Sequence, residues 1–418
     1  MNITLKNGQR SGVTSAPSSK SHAQRLLICA GLGASGVTLD CGDISKDIAA
    51  AASCVQTLCA DVTELHEGVL RVEPCAKPSD GVKALHCGES GSTLRFLIPV
   101  CGALGESVVF KMEGRLSERP LSPLDEVLHE HGMTLERIGT ELHCSGKLTG
   151  GEFEIAGNVS SQFISGLLFA LPLLDTDSAL TVTGKLESSA YIAMTENALR
   201  QSGIEFAKKD NVYTIPGNQR YRLNEACTVE GDLSNAAFFL CMGTLSDVGV
   251  TVKNIPEHTS QGDKKIIDIL RSFGADVAVK GDSVAVKKGR LTACTVDASE
   301  IPDLVPVVSV VAAAAEGDTH IINAARVRLK ESDRLMTTAT LLCGLGASVE
   351  ELPDGLIVHG GNELHGGTVD SFNDHRIAMS AAVAACICTG PVTVTGCECV
   401  NKSFPRFWEK FNGLECGQ

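Results

Sequence analysis

The residues in this chain that could carry acid–base and anion chemistry fall into short polar clusters. They are KSHAQR at 20–25, GSTLR at 91–95, RLSER at 115–119, SSQ at 160–162, ESSAY at 187–191, IPD at 301–303, RLKESDR at 328–334, NDHR at 373–376 and NKS at 401–403. Lys20, Arg25, Arg95, Arg119, Lys330, Arg334, Arg376 and Lys402 supply positive charge, and Asp303 and Glu331 stand among them as carboxyls able to move protons. Nearly every cluster lies just ahead of an apolar run, so each is expected at a helix start. Ser, Asp and Asn are ordinary caps there, and Ser92, Asp232, Ser234 and Asn235 need no other role, while Ser21 reads as the cap of the run behind it. Lysine and arginine at a helix N-terminus oppose the dipole unless an anion lies between them, so these cations point to a multiply anionic ligand.

The elements that position the clusters repeat. A helix end followed by a small residue and a strand recurs at LHEHGMTL (128–135), LRQSGIEF (199–206), LRSFGADV (270–277) and LCGLGASV (342–349), with a weaker copy at 55–62. A second, more apolar helix starts near Ser21, Ser92, Ser161, Ser234, Asp303 and Asp374, again about 70 residues apart. Two phases of one period imply a βαβαββ unit repeated six times. With 418 residues exceeding a single core, the expected α/β fold has two domains of three units each. Residues 1–12 with 230–418 form one expected domain and 13–229 the other, with sheets enclosing buried helices as an inside-out barrel and the ligand in an interdomain cleft.

The ordered set SSKSHAQR, SGSTLR, SERP, GNVSSQF, IPD, RLKESDR, FNDHR and NKSFPRFW resembles the 5-enolpyruvylshikimate-3-phosphate synthase family along nearly the whole chain. That resemblance implies two domains of three βαβαββ units. It also implies transfer of the enolpyruvyl group of phosphoenolpyruvate to the 5-hydroxyl of shikimate 3-phosphate, in a target of glyphosate. It places shikimate 3-phosphate on Lys20, Ser21, Arg25, Ser160, Ser161, Gln162, Ser188, Asp303, Lys330 and Arg326, with Tyr191 nearby. Phosphoenolpyruvate falls to Lys20, Gly91, Arg119, Gln162, Arg334, Arg376 and Lys402. Asp303 is then the base at the 5-hydroxyl, and Glu331 the acid at the methylene carbon, assisted by Lys402 or Lys20. Arg326 stands where relatives often have Asn, and SGST where they commonly have NAGT. No metal or cofactor is implied. The competing readings are a UDP-N-acetylglucosamine enolpyruvyl transferase and a non-catalytic anion-binding scaffold.

Composition sets the remaining bounds. A net charge of −14 argues against a nucleic-acid partner, and an apolar stretch no longer than 304–315 argues against a membrane span. Seventeen scattered cysteines suit a reducing compartment, so a cytoplasmic monomer acting on small anions is expected. GLGASG at 31–36 spells a dinucleotide fingerprint, but it follows a helix and precedes a strand, the reverse of the order phosphate binding needs. Cys386 and Cys388 are expected in a buried helix, Cys397 and Cys399 in a strand, and all four as core residues. His22 and His375 read as hydrogen-bonders at helix starts.

Overall fold

A computed structural model describes residues 1–75 and 81–417 as mixed α/β, in two compact units: Met1–Ser18 with Glu230–Gln418, and Ser19–Val229. Among the described residues there are six separate sheets, and none closes into a barrel. One strand order recurs in them. In the second unit, Lys83–Gly88 runs parallel to Val108–Met112, which pairs antiparallel with Glu141–Ser145, itself in a hairpin with Thr134–Ile138. Glu152–Ala156, Ser178–Thr183, Val212–Ile215 and Ala207–Lys209 repeat that order, as do Ala226–Thr228, Val37–Asp40, Val69–Pro74 and Ala60–His66. A parallel pair of neighbours requires a crossover, and a buried helix supplies it in four of the six sheets, while the pairs Val37–Asp40 with Ala226–Thr228 and Arg10–Ser15 with Val250–Lys253 join strands distant in the chain.

The first unit uses the same order with a segment borrowed from the start of the chain. Arg10–Ser15 runs parallel to Val250–Lys253, from Gly12 opposite Val250 to Ser15 opposite Lys253, and Glu415–Cys416 pairs on its other side. Residues 13–18 therefore belong with this unit, six residues beyond the boundary expected at 12/13. Asn2–Leu5 pairs with Val392–Thr395, which runs parallel to Gly367–Asp370.

The buried helices are the cores. Leu233–Thr244 and His375–Ala385 are buried along their whole lengths, and Gly91–Leu104, Ser161–Ala170 and Val305–Ala314 nearly so. Helices apolar on every face can only be interior, and each buried Leu, Val or Ile contributes about 1.5–3 kcal/mol. Lys46–Leu58 and Arg334–Gly344, with only one face buried, lie further out. Among the described residues no helix is long and apolar enough to cross a membrane.

Several local expectations shift. Ser19, not Ser21, caps Lys20–Gly31, its hydroxyl accepting from the His22 backbone N–H at 3.3 Å. Ser90, Ser160 and Asp232 cap the next three buried helices, because an extended residue whose oxygen reaches the second or third N–H makes the cap. Arg115, Arg328 and Lys402 lie in the 3-10 turns Gly114–Glu118, Ala325–Leu329 and Cys397–Lys402, ahead of the outer helices rather than in them. Cys397 and Cys399 share the last of these turns instead of a strand, and Cys388 lies beyond the helix that Cys386 ends. Gly31 ends a helix and Val37 opens a strand, so GLGASG is a helix-to-strand connection.

Candidate active site

In the first unit the carboxyls and cations condense around Arg334, the opening residue of Arg334–Gly344. Arg334 is 1% exposed and donates to Asp374 at 2.8 Å, to Asp303 at 2.7 Å and to Glu331 at 2.6 Å. Asp303 also meets Lys330 at 3.3 Å and Arg376 at 3.1 Å. Burial works against the Arg334 charge, but Asp374, Glu331 and Asp303 outweigh it and hold its pKa above the ordinary value. Burial likewise pushes the Asp374 carboxyl up, and Arg334 reverses this, leaving it below the usual carboxylate range. The anion expected between these cations is thus met, in the free protein, by its own carboxylates.

The turn delivering Asp374 is strained. Phe372 and Asn373 both adopt left-handed backbone, at φ 52° and 53°, which is costly for a side chain as bulky as Phe. Lys402 Nζ donates to the Asn373 carbonyl at 2.6 Å, tying the 3-10 turn Cys397–Lys402 to this corner. Arg326 lies half-buried on the turn Ala325–Leu329 that leads into Lys330.

The second unit gathers the other predicted residues at or near four helix starts. Lys20 pairs with Asp47 at 3.0 Å. Gln24 donates to Ser90 at 2.9 Å and Thr93 at 3.0 Å and accepts from Ser92 at 2.7 Å, binding the start of Lys20–Gly31 to that of Gly91–Leu104. Arg95 donates to the Gln162 side-chain oxygen at 2.9 Å, which fixes the amide so that its NH₂ faces away from Arg95. A Cβ on Gly91 would lie 2.6 Å from Arg119 Nη1 and 2.8 Å from Arg95 Nη1, so Gly91, Arg95, Arg119 and Gln162 converge. Ser160 accepts from the Gln162 N–H at 3.3 Å and Ser161 is buried behind it. Ser188 holds a left-handed backbone at φ 54° just before Ser189–Gln201.

Arg25, on the same helix as Lys20, lies further in. It is 2% exposed and donates to Thr195 at 2.9 Å and to the carbonyls of Ser21 at 2.7 Å and Tyr191 at 2.8 Å, with Phe96 beneath it. Burial lowers its pKa to about 10, and the same burial, with the Arg25 charge, lowers His22 to about 4. Arg25 thereby braces Ser21 and Tyr191 from behind. Asp47, Gln24, Thr195 and Asp374 escaped the sequence reading as members of the site, since no single-residue signal separates a supporting carboxyl or amide from an ordinary cap.

The family model described as EPSP synthase (3-phosphoshikimate 1-carboxyvinyltransferase) matches residues 6–411. The chain belongs to the EPSP synthase family. A relative from Clostridium acetobutylicum, named 3-phosphoshikimate 1-carboxyvinyltransferase, is 43% identical over 404 residues, covering 95% of this chain and 94% of its own. One of the same name from Clostridium kluyveri is 39% identical over 415 residues, covering 99% and 97%. The solved EPSP synthase from Acinetobacter baumannii superposes with a TM-score of 0.81 at 22% identity, each chain fully covered. The enolpyruvyl transferase NikO from Streptomyces tendae does so at 0.78 and 16%, covering 100% of this chain and 97% of its own, and both likenesses are of fold.

Proposed function

We propose that this chain transfers the enolpyruvyl group of phosphoenolpyruvate to the 5-hydroxyl of shikimate 3-phosphate, releasing phosphate, as a monomeric cytoplasmic enzyme whose sheets enclose its buried helices. The observation that carries the reading is the convergence of Asp303 and Glu331 on one buried guanidinium, Arg334, with Lys330 and Arg376 completing the ring. Two carboxyls held apart by a fixed cation can serve as separate base and acid.

In this reading Asp303 accepts the proton of the 5-hydroxyl while Glu331 delivers one to the methylene carbon of phosphoenolpyruvate, assisted by Lys402 or Lys20. The hydroxyl oxygen bonds to the adjacent carbon, giving a tetrahedral adduct. Loss of a proton from the new methyl group and of phosphate then restores the double bond. Arg119, Arg334, Arg376 and Lys402 favour the leaving phosphate by charge, as preorganised cations do in a water-poor site. Gly91 leaves room for phosphoenolpyruvate, and the fixed amide of Gln162 offers both its N–H groups to anions. Lys20, Ser21, Arg25, Ser160, Ser161, Gln162 and Ser188 take the phosphate and ring of shikimate 3-phosphate, and Asp303 and Lys330, with Arg326 beside them, serve the ring hydroxyls.

The test is phosphate release and enolpyruvyl product formation by the purified chain given both substrates. Activity is expected with shikimate 3-phosphate. Turnover only with UDP-N-acetylglucosamine, or binding without turnover, overturns the assignment.

A further inference from the structure

Arg137 belongs to none of the polar clusters at helix starts. It lies on the edge strand Thr134–Ile138. Its cross-strand partner is the buried Leu142, so Arg137 leaves the sheet on the packed face. Against it lies the 3-10 turn Gly114–Glu118, anchored by the buried Leu116. Both terminal nitrogens of Arg137 end on backbone: Nη1 donates to the Ser117 carbonyl and Nη2 to the Arg119 carbonyl at 3.1 Å. The turn so clasped leads into Arg119, and the peptide groups around that residue are held one after another. The Arg119 N–H donates to the Leu116 carbonyl at 3.3 Å, its own carbonyl takes the Arg137 bond, and the next carbonyl, that of Pro120, accepts from Arg95 Nη2 at 3.3 Å. Pro120 confines Arg119 to extended backbone, at φ −71° and ψ 136°, and within that range the bond to Arg137 selects the peptide orientation.

We propose that Arg137 is a positioning residue for the phosphoenolpyruvate side of the site: by fixing the backbone of Arg119 it sets where the Arg119 guanidinium meets the start of Gly91–Leu104. The proposal rests on the functional reading above, in which Arg119 binds phosphoenolpyruvate. The Arg119 side chain is long and rotatable, so its charged end follows any swing of the peptide beneath it. That end is closely placed, since a Cβ on Gly91 would lie 2.6 Å from Arg119 Nη1. Hydrogen bonds from a guanidinium are charge-assisted, and its planar fork holds two N–H groups at a fixed spacing, so one arginine locks the Ser117 and Arg119 carbonyls relative to each other. Arg95 grips the turn from the buried helix and also serves Gln162, whereas Arg137 grips it from the hairpin. A change at Arg137 therefore acts on the phosphoenolpyruvate arginine through its main chain.

The test measures the KM for each substrate, with the other saturating, in wild type, Arg137→Ala, Arg137→Lys, Arg119→Ala and the double alanine variant. Arg137→Ala is expected to raise the KM for phosphoenolpyruvate about tenfold. The KM for shikimate 3-phosphate and the melting temperature should stay near wild type, because Arg137 is exposed and water can hydrate the carbonyls it leaves. Arg137→Lys keeps the charge but not the fork, and is expected to recover only part of the loss. In the Arg119→Ala background, Arg137→Ala is expected to add nothing, since a residue that acts through another has no effect once that other is gone. An unchanged KM for phosphoenolpyruvate in Arg137→Ala overturns the proposal, as does an equal rise in both KM values or a further tenfold loss in the double variant. Should Arg137→Ala fail to fold, Arg137→Lys is read in its place, and a wild-type KM for phosphoenolpyruvate there overturns the proposal. A wild-type chain inactive with both substrates would remove the functional reading itself and this proposal with it, a result distinct from all of these.

Discussion

A guanidinium with 1% exposure, such as Arg334, survives in a protein interior only because its charge is met, and Asp374, itself fully buried, meets it through two N–H donors. Removing the Asp374 charge leaves Arg334 still held by Asp303 and Glu331, so the loss is that of a buried charge-assisted hydrogen bond, about 1.5–3 kcal/mol. Asp374→Asn is therefore expected to lose about that much stability in urea unfolding at neutral pH. The pH dependence follows from the sign of the shift. Against burial, Arg334 lowers the Asp374 pKa below its unfolded value, so the pair's contribution is complete above the unfolded pKa of about 4 and fades as pH falls through the folded one. The stability gap between wild type and Asp374→Asn should narrow in acid, and a gap constant down to about pH 2 would contradict the pairing. The clustering of charged residues at helix starts was legible in the sequence. That Arg334 is neutralised by three carboxylates was not, because Asp303, Glu331 and Asp374 come from separate turns that only packing brings together.

Among the elements, the start of Gly91–Leu104 shows how a helix terminus becomes a site. Its cap, Ser90, is tied to Gln24 on the neighbouring buried helix, and its first residue lies against two arginines. The atoms a Cβ would meet at Gly91 are the far ends of flexible side chains, so the fold can absorb an alanine while the guanidinium positions cannot stay as they are. Gly91→Ala is expected to leave the melting temperature near that of wild type and to raise the KM for phosphoenolpyruvate about tenfold or more. An unaltered KM would place phosphoenolpyruvate elsewhere. Sequence periodicity located this helix but set its cap two residues late, because in a run such as ESGST several residues are chemically able to cap. Backbone conformation chose Ser90, at ψ 96°, as it chose Ser19 in SSKS.

On the scale of the whole molecule, the two units differ in how the chain builds them. Ser19–Val229 is one continuous segment whose first strand, Val37–Asp40, is paired by its last, Ala226–Thr228. A fragment of residues 19–229 is expected to unfold cooperatively in urea with mixed α/β circular dichroism, and to be catalytically inactive for want of Asp303 and Glu331. The other unit is discontinuous, and Arg10–Ser15 is an interior strand of its five-stranded sheet. Deleting residues 1–18 should therefore abolish its folding, since it removes both neighbours' hydrogen bonds at once. A truncated chain with wild-type melting behaviour would refute that role.

The order of chemistry-bearing residues and the period of about 70 residues are properties of the linear chain, because hydrophobic periodicity and helix-start composition are local. They were enough to indicate α/β architecture and an anionic substrate. Which strand each sheet takes from a distant part of the chain, and which carboxylate each buried cation meets, depend on long-range pairing and desolvation. Neither has a local signature, so the place of Arg10–Ser15 between Val250–Lys253 and Glu415–Cys416 and the Arg334 ring of carboxylates were decided only by the tertiary structure.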